Sequence, residues 1–323
     1  MSSVSVIIPA RNEPFLNKTI KGALKRATGD VEVVVVLDGD PPAKPIPPWR
    51  NVRVVEHGAP KGLGAATWSG ANVAQGDYIM KLDAHCLLAR GYDEALTEHC
   101  DYRDLLVPAR YQLKDKGWRR GYGPIHYLFL TYPWLQEPQF GVGLHGKKWQ
   151  CEDGLGKRAV GREYFWPERA WKERAPLDEI MAFQGSCYFM HRDRFLELGG
   201  VDRRCWLWGE SLNIGLKTFC AGGQMRRDKS TWYAHLHKGR RHGRGYYVQK
   251  RKMQAINLWS ADYWMNDRWQ HPLKERGMVE FVAQFWPIPG WPEDWDDPHY
   301  QESFVYPGLS KEEQWTLIAS LGK

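Results

Sequence analysis

The sequence predicts an α/β protein centred on a doubly wound, mostly parallel sheet, with an aromatic-rich extension toward its C-terminal end. Three observations carry that expectation. Short β-branched apolar runs recur through the first hundred residues, and runs of that kind suit strands buried on both faces. Segments of helical period separate them, and strand–helix alternation gives parallel pairs with crossover helices. The runs end at Pro, Gly or Asp, which places side chains at strand ends.

The elements follow in order. Val4–Pro9 (VSVIIP) reads as a buried strand stopped by Pro, and Asn17–Ala27 as a helix with Asn17 as N-cap. Val31–Leu37 is a second strand, ending at Asp38-Gly39-Asp40, and Pro41–Trp49 is a Pro-rich surface connection. Asn51–Glu56 is a third strand. Leu63–Ala74 is a helix of small residues, and Tyr78–Leu82 a fourth strand that delivers Asp83. Tyr111–Arg174 has weak periodicity and reads as an irregular stretch carrying acceptor contacts. Phe183–Met190 reads as a strand, Arg192–Leu198 and Glu210–Cys220 as helices, and Lys229–Leu236 as a strand. Gly290–Gln301 is expected as an extended acidic tail packed on the body. Residues 1–240 form one expected domain with halves at 1–110 and 111–240, and 241–323 the extension.

The chain has 323 residues, 43% hydrophobic and 26% charged, a composition that buries a substantial core and excludes wholesale disorder. Its 17 Trp, 15 Tyr and 11 Phe suit sugar or base stacking, although core packing is the commoner use of each ring. The net charge of +7 favours a polyanionic partner, an anionic membrane surface or a diphosphate donor. The six Cys show no CxxC spacing, against a zinc knuckle or redox pair; free thiols are the expectation, with one disulfide left open. No run approaches the roughly 20 apolar residues of a membrane helix, and MSSVSVIIPARNE lacks a signal-peptide pattern. A cytoplasmic protein with no membrane contact and no obligate protein partner is expected.

In doubly wound sheets ligands bind beyond the carboxyl ends of the strands, where Asp38 and Asp83 both fall. Asp83-Ala84-His85 puts a carboxylate and an imidazole on one side of an extended segment, a pair that suits Mn²⁺ or a similar ion. His235 and His237 share one face of the late strand, and either completes the ligand set. Eleven Lys or Arg lie between Lys217 and Lys252. The densest part, Lys238–Tyr247, leaves three readings open: a mobile loop closing on a diphosphate through Arg240 or Arg241, a nucleic-acid contact, and a solvated basic face.

Val6-Ile7-Ile8-Pro9-Ala10-Arg11-Asn12-Glu13, Val35–Asp40, Gly62–Ala66, Gly76–Cys86, Gly185–Phe189 and Trp206–Leu212 occur in that order. Together they resemble the family-2 and related glycosyltransferases of the GT-A fold, most nearly the polypeptide N-acetylgalactosaminyltransferase branch with its Asp-x-His motif. The resemblance spans roughly residues 4–240. It implies that Asp38 and Glu13 hold the base and ribose of a UDP-sugar with help from Arg11, and that Pro9, Gly62 and Lys81 belong to the same donor site. Asp83, His85 and one of His235 and His237 would bind Mn²⁺ or Mg²⁺, with Asp83 and Glu210 at the reacting centre. A second reading of Glu210 is a helix-start carboxylate satisfying backbone N–H groups. Members with Asp-x-His transfer with retention, which is the expectation here. Trp208 and Ser211 stand where that branch has Gly and Asn, which points away from a peptide acceptor. Charge and aromatics then favour DNA bearing hydroxymethylated pyrimidines, as for some bacteriophage enzymes, over a protein or glycan acceptor. A non-catalytic nucleotide-sugar or nucleic-acid binding protein is the alternative of a different class.

Overall fold

The computed structural model describes residues 2–124, 128–134, 143–148, 176–206, 209–243, 250–306 and 308–322. Strands β1 (Ser3–Ala10), β2 (Asp30–Asp38), β3 (Val52–His57) and β4 (Tyr78–Leu82) pair in the order β3-β2-β1-β4, all parallel. Crossover helices α1 (Leu16–Arg26) and α2 (Leu63–Val73) connect them. The expected apolar runs form this half: Val6–Ile8 and Val33–Val36 are fully sealed from solvent. Each such side chain contributes about 1.5–3 kcal/mol on burial.

Beyond β4 the sheet becomes mixed. After β5 (Cys86–Leu88) and α3 (Tyr92–His99) come β6 (Leu105–Lys114) and β7 (Arg119–Arg120), then β8 (Leu128–Leu130), β9 (Gly146–Lys148) and β10 (Leu177–Glu179). Strand β11 (Cys187–His191) leads into α4 (Arg192–Glu197) and α5 (Glu210–Cys220), and β12 (Met225–His235) follows. Strand β11 runs antiparallel to both β4 and β6, whereas β12 runs parallel to β6. The full order is β10-β12-β6-β11-β4-β1-β2-β3, and β5 pairs with β12.

The structure corrects several expectations. Helix α1 begins at Leu16 with Phe15 in the N-cap position, and Asn17 donates its side-chain amide to the Pro45 carbonyl instead of capping. Tyr111–Arg174 opens with order: β6 runs through Lys114 and turns into β7, and β8 pairs with β9; residues 149–175 lie outside the described set. Strand β12 stops at His235, so His237 lies past its end. The C-terminal stretch is helical, with α6 (Gly239–His242), α7 (Lys250–Met265), α8 (Met278–Phe285), α9 (Pro298–Ser303) and α10 (Lys311–Ala319). Residues 290–301 contribute the start of α9 instead of an extended tail. Trp259, Trp264, Phe281 and Phe285 join the same apolar core as the sheet, so part of the Trp excess is structural. Among the described residues no helix is long and apolar enough to cross a membrane, and the five described cysteines are free.

Candidate active site

Four strand ends meet at one place. Asp38 closes β2, Asp83 follows β4, His235 closes β12, and Glu13 lies three residues past β1. Two long-range pairings align them. Strand β11 against β4 lets Asp83 N donate to Ser186 O at 2.8 Å. Strand β12 against β5 sets His235 opposite Cys86, and Leu236 N donates to His85 O at 3.1 Å. A cleft of about 670 Å³ opens over these ends, lined by Pro9, Arg11, Glu13, Asp38, Gly62 and Trp206 as well as by Asp83 and the histidines. A second chamber of about 320 Å³ lies behind it and shares Leu63, Asp83 and Gln184; Lys81 and Glu210 line this inner space.

Ligand atoms of Asp83, His85 and His235 all lie within 4.8 Å of one another. His235 is buried at 7% exposure, and neither ring nitrogen makes a hydrogen bond, although Nε2 lies 3.2 Å from Asp83 Oδ2. Burial lowers the His235 pKa to about 4 against the raising effect of Asp83, so the ring is neutral and ligand-competent at pH 7. Asp83 remains ionised: burial pushes its pKa up, but Lys81, His235 and His85 hold it well below the usual carboxylate range. One carboxylate oxygen and two imidazole nitrogens fit a divalent cation, and the imidazoles favour Mn²⁺ over Mg²⁺. One of the two orphaned ring nitrogens of the buried His235 is what such an ion would satisfy.

His85 is oriented from behind. Its Nδ1 lies 3.1 Å from Glu13 Oε2, leaving Nε2 directed toward Asp83 Oδ2 at 4.0 Å. Glu13 also accepts from Lys238 Nζ at 2.7 Å, and His85 and Lys238 outweigh burial in lowering its pKa. A carboxylate behind a ligating imidazole fixes its tautomer. His237 does not join the cluster: its Nε2 accepts from Arg110, its ring is T-shaped to His235, and it is exposed. Two residues spaced as a strand pair thus take different roles because the strand ends between them.

Asp38 lines the cleft and organises its rim. Its carboxylate accepts from Lys61 N at 2.8 Å and Gly62 N at 2.9 Å, and pairs with His57 Nδ1 at 2.9 Å. Gly62 sits at φ 95° as the N-cap residue of α2, and a Cβ there would meet Trp206 Cδ1 at 2.1 Å. This turn therefore requires glycine. The α2 N-terminus faces the cleft through Gly62, Leu63 and Ala66, a placement that favours an anion. Arg11 donates to Asp40 Oδ2 at 2.5 Å on the same rim.

Lys81 is placed differently from expectation. It is fully buried, and its ammonium group donates to Asp83 Oδ1 (2.6 Å) and Gly185 O (2.5 Å) and pairs with Glu210 Oε2 at 3.1 Å. Enclosed by two hydrogen bonds and this ion pair, it acts behind the site, not on the outer donor cleft. Glu210 is the first residue of α5, yet its carboxylate turns inward: Oε1 accepts from Tyr188 OH at 3.1 Å and lies 3.3 Å from Thr67 Oγ1. It does not cap its own helix. Burial raises its pKa, with Lys81 pulling the other way. Tyr188, Thr67 and Lys238 are not among the expected site residues; Tyr188 has a signal in the Gly185–Phe189 motif and Lys238 in the basic Lys238–Tyr247 segment, whereas Thr67 has none. The Arg240 and Arg241 side chains, and Leu207 and Trp208, lie outside the described residues.

Residues 5–165 match the family model described as Glycosyl transferase family 2. The uncharacterized glycosyltransferase EpsJ of Bacillus subtilis is 31% identical over 132 residues, 38% of this chain and 37% of that protein. Polypeptide N-acetylgalactosaminyltransferase 5 of Caenorhabditis elegans is 24% identical over 284 residues, 80% of this chain and 41% of that protein. The chain spans about two fifths of the length of the curated relatives it matches. The crystal structure of GalNAc-T7 with UDP, GalNAc and Mn²⁺ superposes with TM-score 0.59 at 18% identity, over 95% of this chain and 58% of that one. Sheet order and strand-end cleft agree with the motif resemblance: residues 5–165 match a glycosyl transferase family 2 domain, and the chain has the GT-A fold.

Proposed function

We propose that the protein transfers a hexose or N-acetylhexosamine from a UDP-sugar to an acceptor hydroxyl, with a divalent cation held by Asp83, His85 and His235. The observation that carries this reading is the Asp83–His85–His235 cluster at the inner wall of a strand-end cleft. The similarity to a GT-A protein crystallised with UDP, GalNAc and Mn²⁺ supports it. When bound, Mn²⁺ supplies a Lewis acid that stabilises the departing diphosphate.

The chain's own residues do the rest. Asp38 shapes the α2 entrance, whose backbone N–H groups and dipole face the anionic donor. Glu13 orients His85, and Arg11 stands on the rim where base or ribose would lie. Glu210 and Lys81 border the inner chamber, where the reacting sugar would be held, and their ion pair keeps a fixed field around Asp83. Retention at the anomeric carbon belongs to this reading, as does a reducing, cytoplasmic setting for five free thiols. Hydroxymethylated pyrimidine in DNA is the acceptor that the chain's positive charge favours.

The test is transfer from UDP-glucose, UDP-galactose and their N-acetyl forms, with Mn²⁺ or EDTA, onto hydroxymethylated and unmodified DNA. Products are read by mass, and their anomeric configuration by NMR. No metal-dependent turnover or donor hydrolysis with any donor would sink the enzyme reading. Turnover without DNA transfer would move the acceptor to protein or glycan.

A further inference from the structure

A second concentration of cations lies away from the segment after the metal-side histidines. Strands β6 and β7 form a hairpin, with Leu113 paired to Arg120 and Lys114 to Arg119. Its turn is tight: Trp118 N donates to Asp115 O at 3.2 Å, Gly117 and Trp118 both have positive φ, and Gly121 N donates to Gln112 O at 2.7 Å. The hairpin exposes four cations, Lys114, Lys116, Arg119 and Arg120. Its acid, Asp115, is engaged by His242 Nε2 at 3.0 Å.

These cations are interleaved with ring faces. Arg120 lies 4.6 Å from the Tyr111 centroid and 4.8 Å from that of Trp232. Lys114 lies over Tyr122 at 5.3 Å, and Tyr122 is 86% exposed. Phe15 and Trp118 stack at 5.4 Å with Lys18 over the Trp118 ring at 5.0 Å. A cavity of about 540 Å³ runs along the hairpin, and its wall of Leu236, His237 and Lys238 is also wall of the donor cleft. The hairpin is therefore continuous with the candidate active site.

We propose that this hairpin is the docking surface for a single-stranded segment of nucleic acid, its phosphates on Lys114, Lys116 and Arg119 and a base on Tyr122. Phosphodiester chains need spaced cations, and unpaired bases need open π-faces; this surface offers both within one hairpin. A sulfated or carboxylated glycan would also use the cations, but it offers the exposed Tyr122 ring the C–H face of a sugar in place of a planar base. As an account of acceptor docking it rests on the DNA reading given above; as a binding site it stands by itself.

The experiment measures fluorescence anisotropy of a labelled single-stranded oligodeoxynucleotide, with heparin and poly-glutamate as competitors, on the full chain. UDP binding with Mn²⁺ is measured on the same samples. The triple variant Lys114→Ala/Lys116→Ala/Arg119→Ala is expected to bind DNA at least about tenfold more weakly. Its log–log salt slope should fall by about two, since each phosphate contact on a single strand contributes roughly 0.7. Tyr122→Ser should cost roughly a further fivefold or more at unchanged slope, through loss of one base–aromatic stack. UDP binding should be unchanged in both variants. Absence of DNA binding at low salt, or equal binding by wild type and triple variant, overturns the proposal. Equal competition by heparin with no effect of Tyr122→Ser overturns the nucleic-acid assignment. Loss of UDP binding in wild type would strike the donor reading alone, leaving the DNA result to decide the docking surface.

Discussion

Lys81 and Glu210 form an ion pair closed to solvent, with Nζ 3.1 Å from Oε2 and the two side chains 0% and 3% exposed. They are 129 residues apart in sequence and meet only because β11 inserts beside β4 and carries α5 over the strand end. Through the second contact to Asp83, this pair ties the strand that delivers Asp83 to the inner chamber.

Breaking that pair from one side leaves an uncompensated buried charge. Lys81→Met is expected to cost about 3–5 kcal/mol of stability. In the Lys81→Met/Glu210→Met double variant, part of that loss should return. Urea unfolding of the parent, both single variants and the double variant completes the cycle. Additive losses would show that the two charges are not coupled.

Asp83→Asn removes the carboxylate charge from the Asp83–His85–His235 cluster at constant size. Mn²⁺ binding by calorimetry should be lost, and turnover should fall by at least about a hundredfold, roughly 2.7 kcal/mol of transition-state stabilisation. Retained metal affinity would remove Asp83 from the ligand set.

Glu13→Gln keeps the size of the side chain that braces His85 but removes its charge. Mn²⁺ affinity should weaken roughly 10–100-fold, the usual effect of losing a partner behind a ligating histidine. Near-ultraviolet circular dichroism should stay as in the parent. An unchanged Mn²⁺ affinity would leave Glu13 a purely structural role.

The buried His235 makes the metal-free protein sensitive to acid. Its imidazole titrates near 6.5 when unfolded and about 4 when folded. Between those values the unfolded state binds more protons, so stability is full above 6.5 and falls as pH drops toward 4. The loss from this one group is of the order of 3 kcal/mol. In EDTA, His235→Asn should flatten the stability curve across that window relative to the parent, and superimposable curves would refute the assignment.

Gly62→Ala tests the rim of the cleft. At φ 95°, with Trp206 Cδ1 2.1 Å from the new methyl group, the turn must distort. A loss of more than about 1 kcal/mol is expected, with a raised KM for the donor and a smaller change in kcat. Wild-type stability and KM would mean that the turn adapts freely.

The parallel half was legible because its signals are local. Apolar runs such as Val33–Val36 leave no wet face, and the same runs place Asp38 and Asp83 at strand ends. The Asp83–His85 pair was readable for the same reason. The C-terminal helices lie between Pro-rich and Trp-rich stretches that read as irregular chain, although Met278, Phe281, Val282 and Phe285 keep a helical spacing in α8. The resemblance implies a donor role for Lys81; only packing reveals that three partners enclose it.

By itself the sequence determined the strand order signals of the first half, the Asp-x-His pair and the family, all of them properties of contiguous residues. Tertiary structure alone decided that His235 and not His237 faces Asp83, because β12 ends between them and its register against β5 is set by Cys86, 149 residues away. It also decided that Glu210 meets Lys81 instead of its own helix, and that the hairpin cations adjoin the cleft. Such outcomes depend on which distant strand pairs with which, and long-range pairing leaves no mark in local composition.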